Sequence, residues 1–173
     1  MPPTPVHIIG QPGAGKTTLV ANLVRNLTEQ GFCVGTLKHS SHPHELDKPG
    51  KDTYIHRTAG ASPAAMVTSR MAAVYLPVSE DISPENLIAT YYRHADIVLI
   101  EGWISGPYPK IEIWRAEVER PPLFVERSGV AALATDDQLR KPEEKAAREQ
   151  HLTRLPLEPL SAIADLIVDL SNS

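Results

Sequence analysis

Val6-His7-Ile8-Ile9-Gly10-Gln11-Pro12-Gly13-Ala14-Gly15-Lys16-Thr17-Thr18 is the stretch whose reading decides the fold. Residues 6–9 form a short apolar run that reads as a strand. From Lys16 to about Gln30 the pattern turns helical, with Leu19, Leu23 and Leu27 falling on one face. Between the two, Gly10 to Thr17 fits the pattern G-x-x-x-x-G-K-[ST] at every position. Phosphate oxygens need several consecutive backbone N–H donors, and glycine lets the chain wrap closely enough to supply them. The helix behind the loop adds its positive end. Lys16 reaches toward the outer phosphates as a mobile cation, and the Thr17 hydroxyl stands where it can coordinate Mg²⁺. Residues 10–18, Thr18 included, are therefore the expected contacts of a purine triphosphate, with Lys16 also a catalytic candidate.

The rest of the chain alternates short apolar runs with amphipathic stretches, as an α/β fold with a doubly wound, mostly parallel sheet requires. Gly31 is placed for a left-handed cap at the end of the first helix. Residues 33–37 read as a second strand, with Cys33 a small buried hydrophobe. A polar, His-rich loop follows, leading to a short helix before Gly60. Residues 65–69 and 73–76 read as two strands joined by a tight turn at Arg70-Met71. Ser83-Pro84-Glu85 is a helix start, and that helix should run to about Arg93. Residues 96–100 are the most apolar short run and read as a central parallel strand. Residues 111–114, 123–125 and 130–134 are further strand candidates. Residues 142–150 read as a solvated helix, and 159–170 as a closing amphipathic one.

P-loop proteins carry a second acidic residue at the end of a neighbouring strand, where it holds Mg²⁺ directly or through water. Asp96 opens the run Asp-Ile-Val-Leu-Ile and Glu101 ends it. Parallel strands present ligand-facing groups at their carboxyl ends. Asp96 would lie roughly 15 Å away at ~3.3 Å per residue, so it reads as a loop residue and Glu101 as the metal ligand and second catalytic candidate. Asp52, from another segment, is a further candidate for contact with the metal through water.

Lys38-His39-Ser40-Ser41-His42-Pro43-His44-Glu45-Leu46-Asp47 follows the second strand. Its imidazoles and carboxylates could bind a transition metal, although Pro43 breaks any regular helical spacing. The other reading is a polar loop at the mouth of the nucleotide site, with Lys38 and His39 beside phosphate. Gly50-Lys51-Asp52-Thr53 and His56-Arg57 bring further charge within reach of the same mouth.

Composition narrows the class. The 173 residues carry a net charge of −4, 42% hydrophobic and 22% charged residues. A chain of this size can bury roughly 70% of its unfolded surface, enough for one domain over 1–173. The charge balance argues against a general nucleic-acid binder. With one cysteine, Cys33, there is no internal disulfide. No basic leader precedes a long apolar stretch, and no run approaches the ~20 residues of a membrane span, so the expected location is the cytoplasm.

Three segments together with the loop resemble a known family, the molybdopterin-guanine dinucleotide biosynthesis protein B family of GTP-binding adapters. The first is Lys38-His39, His44, Asp47, Gly50-Lys51-Asp52-Thr53, His56-Arg57 and Ala59-Gly60-Ala61. The second runs from Asp96 through Glu101-Gly102-Trp103 to Pro109-Lys110-Ile111-Glu112-Ile113 and Arg115. The third is Ala131-Ala-Leu-Ala-Thr135-Asp136. The resemblance covers most of residues 6–136. It implies a doubly wound P-loop fold, a homodimer, and GTP with Mg²⁺ hydrolysed weakly, with molybdopterin as a second ligand. It also implies an adapter that assists the guanylyltransferase joining GMP to molybdopterin, with molybdenum insertase a further partner.

One departure concerns the base. The Asn-Lys-x-Asp tetrapeptide that usually reads guanine is missing. Thr135 and Asp136 could accept from the base, and the residues alone leave adenine open. Two other classes stay in play. A small-molecule kinase would use the cationic 38–57 segment to hold its acceptor. A metallochaperone GTPase would use His39, His42 and His44, against a cysteine inventory too small for a soft metal.

Overall fold

The opening apolar run becomes β1 (Val6–Ile9), fully buried, and the Gly-rich loop hands it to α1 (Lys16–Glu29). The computed structural model describes residues 4–40, 42–77 and 83–172. After α1 come β2 (Val34–Lys38), α2 (Asp52–Thr58), β3 (Ala64–Val67), β4 (Ala72–Tyr75) and α3 (Pro84–Tyr91). β5 (Ile97–Glu101), β6 (Lys110–Ile113), β7 (Val130–Ala134), α4 (Lys141–Glu149), β8 (Thr153–Leu155) and α5 (Ser161–Ser171) complete the chain. Gly31 ends α1 with φ 96°, the left-handed cap that its position predicts.

The chain groups into two compact units, one of residues 1–40 with 89–173 and one of residues 41–88. The first holds a six-stranded sheet in the order β2-β5-β1-β6-β7-β8, and every pairing in it is parallel. Side chains alternate between its two faces with the period of a strand. Val6, Ile8, Ile97, Leu99, Ile111, Ile113, Ala132 and Ala134 face one way and pack against Leu19, Leu23 and Leu27 of α1 and Ile163 and Ile167 of α5. On the opposite face Leu133 joins Trp114, Phe124, Leu139 and Ala147. This is the doubly wound, parallel α/β architecture that the alternation of runs predicts.

The strand following β1 lies on one side of it, and the strand following β6 lies on the other. The crevice between connections that depart in opposite directions is where open parallel sheets bind ligands. Here it opens at the carboxyl ends of β1 and β6, directly at the Gly-rich loop.

The second unit holds the antiparallel pair β3 and β4, in register Ala64 with Tyr75 and Val67 with Ala72. Thr68 closes its turn, accepting from the N–H groups of Arg70 and Met71. Among the described residues no helix is long and apolar enough to cross a membrane.

Three expectations change. Residues 123–125 are a 3-10 turn and not a strand. The buried carboxylate of Glu112 takes the N–H groups of Leu123 at 2.5 Å and Phe124 at 2.9 Å, and that curls the segment while Phe124 enters the core. Cys33 is exposed, not buried. It ends just before β2, where its backbone N–H donates to the Asp96 carboxylate at 2.7 Å. The helix at 141–149 is only partly solvated, since Ala147 packs into the second core cluster. β8 is an addition: its polar Thr153 and Arg154 hide a strand at the sheet edge.

Candidate nucleotide site

The loop between β1 and α1 turns on itself through backbone only glycine adopts without strain. Gly10 has φ 152°, and a Cβ there would lie 2.3 Å from the Ile113 carbonyl oxygen. The Ala14 N–H donates to the Gln11 carbonyl at 3.2 Å, and Ala14 is buried beneath the loop. Gln11, Pro12 and Gly13 form the outer rim, and Gly15 leads into the first turn of α1. Lys16 folds back over the loop, its Nζ donating to the carbonyls of Gly10 and Gln11, both at 2.9 Å. Burial lowers its pKa, Glu101 pulls it back up, and Lys38 pushes it down. Thr18, one residue further along α1, is exposed.

Thr17 points across to the next strand. Its hydroxyl donates to Glu101 Oε1 at 2.9 Å. Glu101 closes β5 and is nearly buried. The same oxygen holds the Lys38 ammonium at 3.0 Å from the end of β2. Asp96 sits at the other end of β5, occupied with Cys33. The Thr17 hydroxyl and the Glu101 carboxylate are hard oxygen donors at the mouth of a phosphate loop, a set suited to Mg²⁺. Glu101 already balances one cation, the Lys38 ammonium.

Beyond Glu101 the chain turns sharply through Gly102 and Trp103, the latter at φ 52°. Half-buried Trp103 stacks on exposed His39 at 5.9 Å and meets the buried His7 ring edge-on at 5.3 Å. Tyr108 completes the group, 5.6 Å from His7. Lys110, its pKa lowered by burial, ties this turn down by donating to Gly106 at 2.7 Å and Tyr108 at 3.2 Å.

A second wall is invisible in the motif. The segment after β6 runs back along the phosphate loop. Gln11 donates to the Pro121 carbonyl at 3.2 Å. Val118 stands 3.9 Å from where a Gly13 Cβ would be, and Arg115 Nε 3.6 Å from that of Gly15. The only sequence signal was Arg115 itself, trailing the motif on β6.

At the end of β7, Thr135 and Asp136 serve the backbone. The Thr135 hydroxyl accepts from the Asp137 N–H at 3.1 Å, and exposed Asp136 accepts from Leu157 at 2.9 Å. Asp137 accepts from Ala116 at 2.8 Å, so the turn is tied to the wall beside the phosphate loop. Asp52 belongs to the second unit, where it begins α2 with its side chain exposed. In that unit Asp47 accepts from the Thr53 hydroxyl at 3.1 Å, and Arg57 pairs with Glu45 at 2.5 Å and Asp47 at 3.9 Å. Much of the polar 44–57 stretch is thus spent holding its own unit together. Among the described residues no group of three His, Cys, Asp or Glu side chains is placed to hold a metal ion.

The family model described as molybdopterin guanine dinucleotide synthesis protein B matches residues 6–136. The chain belongs to this family. It is 32% identical over 161 residues to the molybdopterin-guanine dinucleotide biosynthesis adapter protein of Haemophilus influenzae, a match spanning 92% of this chain and 85% of that one. With the adapter protein of Escherichia coli the identity is 29% over 161 residues, covering 91% and 87%. The crystal structure of Bacillus subtilis MobB shares the fold at a TM-score of 0.70 and 24% identity, over 97% of this chain and 98% of that one. The parallel six-stranded sheet flanked by helices is thus shared with solved structures of the family. The matched region ends at Asp136, leaving α4, β8 and α5 outside it.

Proposed function

We propose that this member of the family is a GTP-binding adapter with weak GTPase activity, assisting the attachment of GMP to molybdopterin. The observation that carries the reading is the Thr17–Glu101 pair across the phosphate loop. A hydroxyl and a nearly buried carboxylate meet where the outer phosphates of a nucleotide would lie, and these two residues would hold Mg²⁺. Bound Mg²⁺ supplies charge neutralisation to the phosphates. Lys16 would exchange its two loop carbonyls for phosphate oxygens, and the backbone N–H groups of residues 13–17 would cradle them.

Weak hydrolysis follows from how the carboxylate is used. In this reading Glu101 Oε1, already engaged by Thr17 and Lys38, serves as a metal ligand and not as the base for an attacking water. A site that holds a nucleotide but spends it slowly suits an adapter, whose partners are the guanylyltransferase and a molybdenum insertase. The half-exposed Trp103 stacked on His39 offers a planar pterin a surface beside the phosphate site. The apolar, exposed β3–β4 pair supports a homodimer, because a lone two-stranded sheet needs a further layer.

The test is competitive displacement of a fluorescent GTP analogue by GTP and by ATP in Mg²⁺, with wild type and Lys16→Ala. Preferential displacement by GTP, lost in the variant, is the expected result. Displacement by ATP as good or better would overturn guanine specificity and bring a phosphotransferase to the front.

A further inference from the structure

We propose that Arg115 is a nucleotide-contacting residue that clamps the phosphate chain from the β6 side of the loop. The proposal rests on the reading of residues 10–17 as a nucleotide site, and it adds a residue that the phosphate-loop pattern does not contain. Three observations carry it. The Arg115 Nε lies 3.6 Å from the Cβ position of Gly15, the residue that leads into α1. The side chain is exposed, and among the described residues it makes no hydrogen bond or ion pair. By contrast, Lys16 is engaged with two carbonyls and Lys38 with Glu101. An arginine left without a partner beside a loop built for phosphate has five donors available to an anion.

The backbone around it is fixed. Arg115 follows β6, its carbonyl accepts from Val118 at 3.2 Å, and the next N–H, that of Ala116, is held by Asp137 at 2.8 Å. Asp137 in turn is held by Thr135 at the end of β7. Since β6 lies between β1 and β7, a nucleotide reaching from the phosphate loop toward the β7 turn passes the end of β6. Arg115 stands on that path. A guanidinium there would take two phosphate oxygens as a fork, which an ammonium cannot do.

The experiment is calorimetric titration of GTP and GDP in Mg²⁺, at low and moderate salt, with wild type, Arg115→Ala, Arg115→Lys and Lys16→Ala. Arg115→Ala should lose roughly tenfold to a hundredfold in affinity for both nucleotides, the range of a charged hydrogen bond. It should also lose part of the salt dependence of binding, and Arg115→Lys should recover only a fraction. Melting without nucleotide should be unchanged, because among the described residues the exposed side chain makes no hydrogen bond or ion pair. If Arg115→Ala does melt early, Arg115→Gln, which keeps most of the stem, replaces it. Wild-type affinity in Arg115→Ala beside lost affinity in Lys16→Ala overturns the clamp and leaves the phosphate-loop reading standing. Wild-type affinity in both variants, or no binding by the wild type, overturns both.

Discussion

Thr17 donates its hydroxyl to Glu101 at 2.9 Å, joining two residues 84 positions apart at the ends of adjacent connections. The pair exists because β5 and β1 are neighbouring parallel strands, with Ile8 opposite Glu101. Each strand delivers its last residue to the same edge of the sheet. Removing the carboxylate should therefore act through the metal and not through the phosphate loop. In Glu101→Ala, GTP affinity in Mg²⁺ is expected to fall about tenfold or more, toward the value measured in chelator. Affinity in chelator should match wild type. An equal loss with and without Mg²⁺ would show that Glu101 shapes the loop instead.

Gly106 makes room for the aromatic group behind Glu101. A Cβ there would stand 2.4 Å from the His7 ring and 2.8 Å from Trp103. His7 is fully buried on β1 and cannot retreat. Gly106→Ala should cost about 1–3 kcal/mol of stability, as overpacking in a filled core does. It should also shift Trp103 emission, because that ring is the half-exposed partner able to move. A urea midpoint equal to wild type, with unchanged emission, would count against this packing.

Glu112 gives the fold a pH dependence of known sign. Burial raises its pKa from the usual 4.5 to about 7, opposed by the N–H groups of Leu123 and Phe124. The folded state therefore binds this proton more tightly than the unfolded chain does. Its contribution to stability is fully present below about pH 4.5 and is lost as pH rises through about 7. Glu112→Gln stays neutral at every pH, so urea midpoints of the wild type should decline relative to it across that window. A constant difference between the two proteins from about pH 5 to 8 would contradict the assignment.

The elements legible in the sequence are those whose information is local. The run 6–9, the Gly-rich loop and the Leu19, Leu23, Leu27 stripe each announce their own structure. So does the apolar 96–100 run, of which residues 97–100 are buried in β5. What escaped depends on partners far along the chain. Residues 123–125 are as apolar as a strand, but a carboxylate eleven positions away curls them. Polar Thr153 and Arg154 reveal β8 only because β7 offers them an edge. The wall of Arg115, Val118 and Pro121 along the phosphate loop has no pattern of its own, since it follows from β6 lying next to β1. In the 38–57 stretch, whose charge suggests ligand contacts, Asp47 takes the Thr53 hydroxyl and Arg57 pairs with Glu45, contacts that no local pattern announces.

The last prediction concerns the β3–β4 pair. Val67 is 77% exposed and Met71 74%, flanking a turn whose hydrogen bonds are already made by Thr68. Apolar side chains this open on a two-stranded sheet gain from burial, roughly 25 cal/mol per Å² covered. Among the described residues neither outer edge carries another strand, so backbone donors and acceptors also stand ready for pairing. A second copy of the same sheet meets both needs at once, since two identical edges can pair across a twofold axis. Sedimentation of the full chain should give a dimer, and Val67→Glu with Met71→Glu should give a folded monomer with nucleotide affinity intact. A wild type that sediments as a monomer, or a double variant that still dimerises, would move the interface away from this hairpin.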